Sequence, residues 1–185
     1  MNTVTVILII IAVLAVAFGA FMYFQKEKTR SLKSKFGPEY DRAVDHYGDQ
    51  RKAEDDLLHR QHRIEKLHLR DLDRAEAQRF EDEWQAEQTR FVDAPKQAVA
   101  NADRLVGDLM KARGYPVGDF EQRASDISVD HPVVVENYRA AHDIAVRDSR
   151  GQASTEDLRQ AMVHYRTLFE DLLDRHARTS EEVRK

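Results

Sequence analysis

The sequence predicts an all-α protein: an N-terminal transmembrane helix, then a long charged helix and a helical bundle. Three observations predict it. Residues 4–24 contain no charged side chain. Beyond them, apolar residues recur three and four apart, the period of a helix with one buried face. With only 7 Gly and 4 Pro in 185 residues, the chain is poor in the turn residues that an all-β fold needs.

The apolar run comes first. A helix of about 21 residues, rising about 1.5 Å each, crosses the roughly 30 Å hydrocarbon core of a bilayer. Val4, Ile7, Ile11, Leu14, Phe18, Phe21 and Phe24 are the expected membrane-facing residues, with Tyr23 and Phe24 at the interface. The alternative is a cleaved signal. A signal has a basic start, a shorter apolar core and a small-residue cleavage site. Here Met1-Asn2-Thr3 is uncharged and Ala20-Phe21-Met22-Tyr23-Phe24 is bulky, so a retained anchor is expected. Lys26, Lys28, Arg30, Lys33 and Lys35 follow the run, against Glu27 alone. Lys/Arg-rich flanks stay in the cytoplasm, which predicts a cytoplasmic C-terminal domain, with a periplasmic or extracellular one as the alternative. The same five cations are the candidate lipid-headgroup contacts, each contributing about 1 kcal/mol near an anionic surface.

Charged residues make up 34% of the chain, yet the net charge is -4. Mixed charge of this kind suits solvated helices and argues against a nucleic-acid surface, which needs a basic excess. With 0 Cys there is no disulfide, cysteine-ligated zinc or cysteine nucleophile.

The expected division is an anchor (1–25), a basic juxtamembrane linker (26–37), a long charged segment (38–94), an amphipathic bundle (95–176) and a polar tail (177–185) that frays after His176. Gly37-Pro38 opens a helix carrying Tyr40, Val44 and Tyr47 on one face. Gly48 weakens it and Asp49 caps a new start. Residues 50–90 hold no Gly or Pro and about half are charged, which predicts one long helix of up to about 60 Å. Its apolar positions are Leu57, Ile64, Leu67 and Leu72, then Phe80, Trp84 and Phe91. The stripe shifts face near Ala75 and holds no heptad register long enough for a sustained coiled coil. Pro95 opens a helix with Val99, Ala102, Leu105, Val106, Leu109 and Met110, closed by Gly114 in the left-handed conformation. Asp119, with Gln122 as capping-box partner, opens a short helix with Phe120, Ala124 and Ile127. If Asp130 caps the next, Val129 and Val134 form its hydrophobic staple and Tyr138, Ala141, Ile144 and Ala145 its stripe. Ser154 caps the last, with Leu158, Ala161, Met162, Tyr165, Leu168, Phe169 and Leu172 inward.

The strongest candidate for chemistry is histidine-rich. His59 and His62 are three apart, as are Glu65 and His68; side chains three apart on a helix face one way, and di-metal bundles use Glu-x-x-His pairs. Such sites need the motif on two helices. No second Glu-x-x-His exists, and 33 acids with 8 His give about 1.4 acid-x-x-His matches by chance. A solvated helix face is therefore expected, with no metal, cofactor or catalytic residue. Ser154 has its capping role without a His or acid tied to it. The connector Tyr115-Pro116-Val117 with Phe120 is either a small docking surface or apolar cover tucked beneath a loop.

Residues 113–173, with RGYPV, DFEQRA, SVDHP, NYRAAH and STEDLRQAMVHYRTLFEDLL, resemble a bacterial family of small proteins with an N-terminal hydrophobic segment. Its members are described as hypothetical, membrane or secreted proteins. The resemblance implies a bacterial source and no particular activity, and it transfers no site residues. The layout is also similar to that of LemA-type proteins, without their characteristic sequence after the membrane segment. The expected protein is thus a non-enzymatic helical domain tethered at the bacterial inner membrane. Its expected partners are the bilayer, through residues 4–24, and another protein or a second copy. The alternatives are a metal-binding or enzymatic bundle and an envelope protein with a cleaved signal.

Overall fold

A computed structural model describes the backbone over residues 3–182 and the side chains over residues 11–173. The described residues form eight helices and no strand, an all-α fold. They are α1 (Thr3–Phe36), α2 (Pro38–Tyr47), α3 (Gln50–Glu65), α4 (Arg74–Arg90), α5 (Pro95–Ala112), α6 (Phe120–Asp130), α7 (Val135–Ser149) and α8 (Thr155–Glu182). Two compact units divide within α3: Met1–Leu57 and Leu58–Lys185.

In the first unit the expected basic linker is not a linker. α1 runs unbroken from the apolar stretch through Phe36, because the residues after Phe24 lack Gly and Pro until Gly37-Pro38. α1 buries Leu32 and Phe36, and Tyr40 and Ala43 of α2 are buried with them. The face expected on α2 is rotated: Val44 is half-buried and Tyr47 exposed, while Glu39 and Ala43 turn inward. Gly48 ends α2 at φ 61 and its N–H bonds the Val44 carbonyl. Asp49 then accepts the Lys52 N–H at 2.9 Å, the expected cap of α3.

No helix among the described residues is long and apolar enough to cross a membrane. The described side chains of the apolar run cover residues 11–24. That is about 21 Å of helix against a hydrocarbon core of about 30 Å. Val4 and Ile7 lie outside the described side chains.

In the second unit, the expected long charged helix is two helices. α3 stops at Glu65 in a tight turn, where the Lys66 and Leu67 N–H groups bond the Arg63 and Ile64 carbonyls. α4 starts at Arg74 behind a full capping box: the Asp73 carboxylate accepts the Glu76 N–H at 2.8 Å, and the Glu76 carboxylate accepts the Asp73 N–H at 3.1 Å. Between them, the Arg70 N–H bonds the Arg113 carbonyl at 3.0 Å, and Leu72 is buried.

α8 packs along α7 and α5, α5 packs on α4, and α6 packs on α7. The α5 and α8 stripes are buried at every expected position. Trp84 of α4 stacks on Phe169 of α8 with centroids 4.8 Å apart. α6 continues through Asp130, so Asp130 does not cap α7; Val134 is the residue before α7, and no Val129–Val134 staple brackets a helix start. The His131 N–H bonds the Ile127 carbonyl, which extends the α6 pattern past the expected boundary. Ser154 and Asp157 form a reciprocal cap at the start of α8: the Asp157 N–H donates to Ser154 Oγ at 3.1 Å and the Ser154 N–H to Asp157 Oδ2 at 2.8 Å. α8 continues to Glu182, past His176.

Candidate functional site

In the first unit the polar side chains converge on Glu54, which is 3% exposed. Its Oε1 accepts from Thr29 Oγ1 at 2.7 Å, Gln50 Nε2 at 2.9 Å and the Tyr40 hydroxyl at 3.0 Å. Lys28 Nζ lies 3.8 Å from its Oε2 and 3.4 Å from Asp55. One carboxylate thereby ties α1, α2 and α3. Burial raises its pKa, but the bonds from Gln50, Thr29 and Tyr40 and the Lys28 charge outweigh burial, and the net shift is downward. Burial, then the hydrogen bond to Glu54, pushes the Tyr40 hydroxyl up to about 12. Sequence reasoning missed this cluster. Its one local signal is the four-residue spacing of Gln50 and Glu54 on one helix face.

Beside it, an open cleft of about 830 Å³ separates α1 from the start of α3. Phe21, Met22, Tyr23 and Lys26 of α1 line one wall; Asp49, Gln50, Arg51 and Glu54 line the other. The five expected headgroup cations divide here. Lys26 faces the cleft, Lys28 is held by Glu54 and Asp55, and the Lys33 ammonium lies 5.1 Å from the Tyr40 ring centroid. Arg30 and Lys35 are exposed. Of the residues expected to face a membrane, Ile11, Leu14, Phe18, Phe21 and Phe24 are all more than half exposed.

The histidine set does not assemble. Glu65 is the last residue of α3, and His68 lies in the irregular stretch beyond it. The helical spacing that made the pair a candidate is therefore absent. His62 Nδ1 lies 3.1 Å from Glu65 Oε2, both exposed, and His59 is exposed. Among the described residues no group of three or more His, Asp or Glu could hold a metal ion.

The second unit carries polar groups in its interior, each built into a tertiary tie. His131 is buried, and its Nδ1 hydrogen-bonds the Asp171 carboxylate on α8. An acid-oriented imidazole supplies two of the three members of a catalytic triad. Its Nε2 is buried with no hydrogen-bond partner among the described residues. Asp126 accepts from Arg63 Nε at 2.7 Å and Gln122 Nε2 at 2.9 Å. Gln122 is thereby spent on Asp126, and Asp119 caps α6 through the Gln122 N–H alone. The buried Arg113 donates to the Leu172 carbonyl and lies 3.4 Å from Asp71. The Tyr165 hydroxyl donates to Asp103 at 2.9 Å, and Arg123 Nε donates to the Tyr138 hydroxyl at 3.0 Å. Burial raises both tyrosines, Tyr138 to about 12 and Tyr165 higher, with Asp103 adding to Tyr165.

The connector is cover rather than a free surface over most of its length. Tyr115 is buried with its hydroxyl on Asp130, and Phe120 stacks on His142 at 3.6 Å; Val117 alone is strongly exposed. His164 Nδ1 lies 2.7 Å from Asn137 Oδ1.

No protein-family model, no curated protein and no solved structure matches this chain.

Proposed function

We propose that this chain is a single-pass protein of the bacterial inner membrane. Residues 4–24 anchor a non-enzymatic helical domain that binds another protein or a second copy of itself. One observation carries the reading: an uncharged run of spanning length continues without a break, as α1, into a folded unit. Exposure supports it. Ile11, Leu14, Phe18, Phe21 and Phe24 together form an apolar surface that water does not favour and that lipid would cover. The five cations that follow favour a cytoplasmic domain. The interior polar groups support the absence of catalysis, since Glu54, Asp126 and Asp171 are each engaged in holding helices together.

The chain has no native cysteine, so topology is directly testable. Ser31→Cys and Val92→Cys, both at exposed positions, are expected to resist a membrane-impermeant thiol reagent in intact spheroplasts and to label after lysis. Labelling before lysis reverses the orientation, and release of the protein by an alkaline carbonate wash removes the anchor. Crosslinking in native membranes is expected to trap a discrete larger species; monomer alone counts against the interaction role.

A further inference from the structure

We infer that the cleft between α1 and the start of α3 holds the phosphate of a phospholipid drawn from the membrane in which α1 sits. The inference rests on the anchor proposed above. Its first ground is position. Phe21, Met22 and Tyr23 end the apolar run and also line the cleft. α1 then continues to Phe36, and α2 leads the chain back, so that Gln50 and Glu54 bond Thr29. The start of α3 is thereby held about one turn beyond the apolar run, at the depth of lipid headgroups in an anchored chain.

Charge is the second ground. The two carboxylates on the cleft wall are already engaged: Asp49 accepts the Lys52 N–H, and Glu54 accepts from three side chains. The two cations are less tied down, although the Arg51 charge acts on Asp49. Among the described residues, neither Lys26 nor Arg51 has a carboxylate within ion-pair distance, and both are exposed. Asp49 and Glu54 keep their charges, so the lining is balanced overall; what Lys26 and Arg51 offer a ligand is an exposed ammonium and an arginine fork, the chemistry that binds a phosphate. Size and lining are the third ground. About 830 Å³ is the volume of a site for a sizeable organic ligand. The exposed rings of Phe21 and Tyr23 with Met22 give an apolar side that suits glycerol and the first acyl carbons and does nothing for a bare anion.

The test uses the full chain in nanodiscs of phosphatidylglycerol and phosphatidylethanolamine, with retained lipid counted by native mass spectrometry after transfer to detergent. The wild type is expected to keep phosphatidylglycerol. Lys26→Gln with Arg51→Gln is expected to weaken retention on the order of 30-fold, which is about 2 kcal/mol from two cations at 1.4 kcal/mol per decade. Arg30→Gln with Lys35→Gln removes the same charge away from the cleft and is expected to change little. Both pairs replace exposed side chains, so an unchanged melting curve is expected to accompany either result. Equal loss in the two pairs, equal retention in all three proteins, or displacement of the lipid by millimolar inorganic phosphate overturns the inference. A wild-type chain that resists carbonate extraction yet keeps no lipid defeats the inference alone; a chain that carbonate releases defeats the anchor as well.

Discussion

Glu54 shows how one side chain can organise a small unit. Three donors and a nearby ammonium hold a carboxylate that is almost fully removed from water. Glu54→Gln keeps the size and removes the charge, and is expected to destabilise by about 1–3 kcal/mol at neutral pH in chemical denaturation. The pH dependence has a definite sign. The folded pKa lies below the ordinary 4.5. The stabilisation is therefore complete above that value and is lost as pH falls through the folded pKa. Wild type and Glu54→Gln are expected to converge in stability on acidification below 4.5. Tyr165 makes a separate test in the second unit. Tyr165→Phe removes the hydroxyl that donates to Asp103 and is expected to cost about 1 kcal/mol. In an alkaline absorbance titration it is expected to remove a tyrosine that ionises after Tyr40 and Tyr138, because burial and Asp103 hold Tyr165 above both.

Among the elements, the break between α3 and α4 departs most from the sequence reading. No Gly or Pro marks it, and the charged residues around it suit a helix. Gly114, far along the chain, permits it: a Cβ there would lie 2.8 Å from the His68 carbonyl oxygen, and its φ is +94. Gly114→Ala is expected to cost about 2 kcal/mol or more in thermal denaturation, from strain and displaced backbone together. Gly151→Ala has positive φ with open space around it and is expected to cost about 1 kcal/mol. Asp73→Ala removes the cap of α4, and a loss of about 1 kcal/mol is expected. The Asp73-x-x-Glu76 box was present in the sequence, yet a cap motif inside a helix-rich stretch competes with continued helix. Packing of residues 66–73 against the end of α5 decides between them. The same break removes the geometry behind Glu65 and His68.

At the scale of the molecule, the chain divides into an α1-based unit and a bundle centred on α5, α7 and α8. The bundle depends on large side chains shared between helices. Trp84→Ala, which abandons the stack on Phe169, is expected to cost about 3–5 kcal/mol in the unfolding of the full chain. Most of this core was legible. The stripes of α5 and α8 were readable because three- and four-residue spacing survives any tertiary arrangement that buries one face. The Glu54 cluster was not, since Thr29, Tyr40 and Gln50 are separated in sequence and meet only when α2 folds the chain back.

By itself the sequence determined the helical class, the helix starts at Pro38, Pro95, Asp119 and Ser154, and the apolar faces of the bundle. These follow from periodicity and capping, which act within a few residues. Only the tertiary structure decided where the charged segment breaks, that Lys28 and Lys33 of the five cations are engaged, and that Glu54 joins three helices. Those outcomes depend on contacts between residues distant in the chain, such as Gly114 with His68 and Thr29 with Glu54. Local sequence carries no term for such contacts, because their free energy exists only once the helices have met.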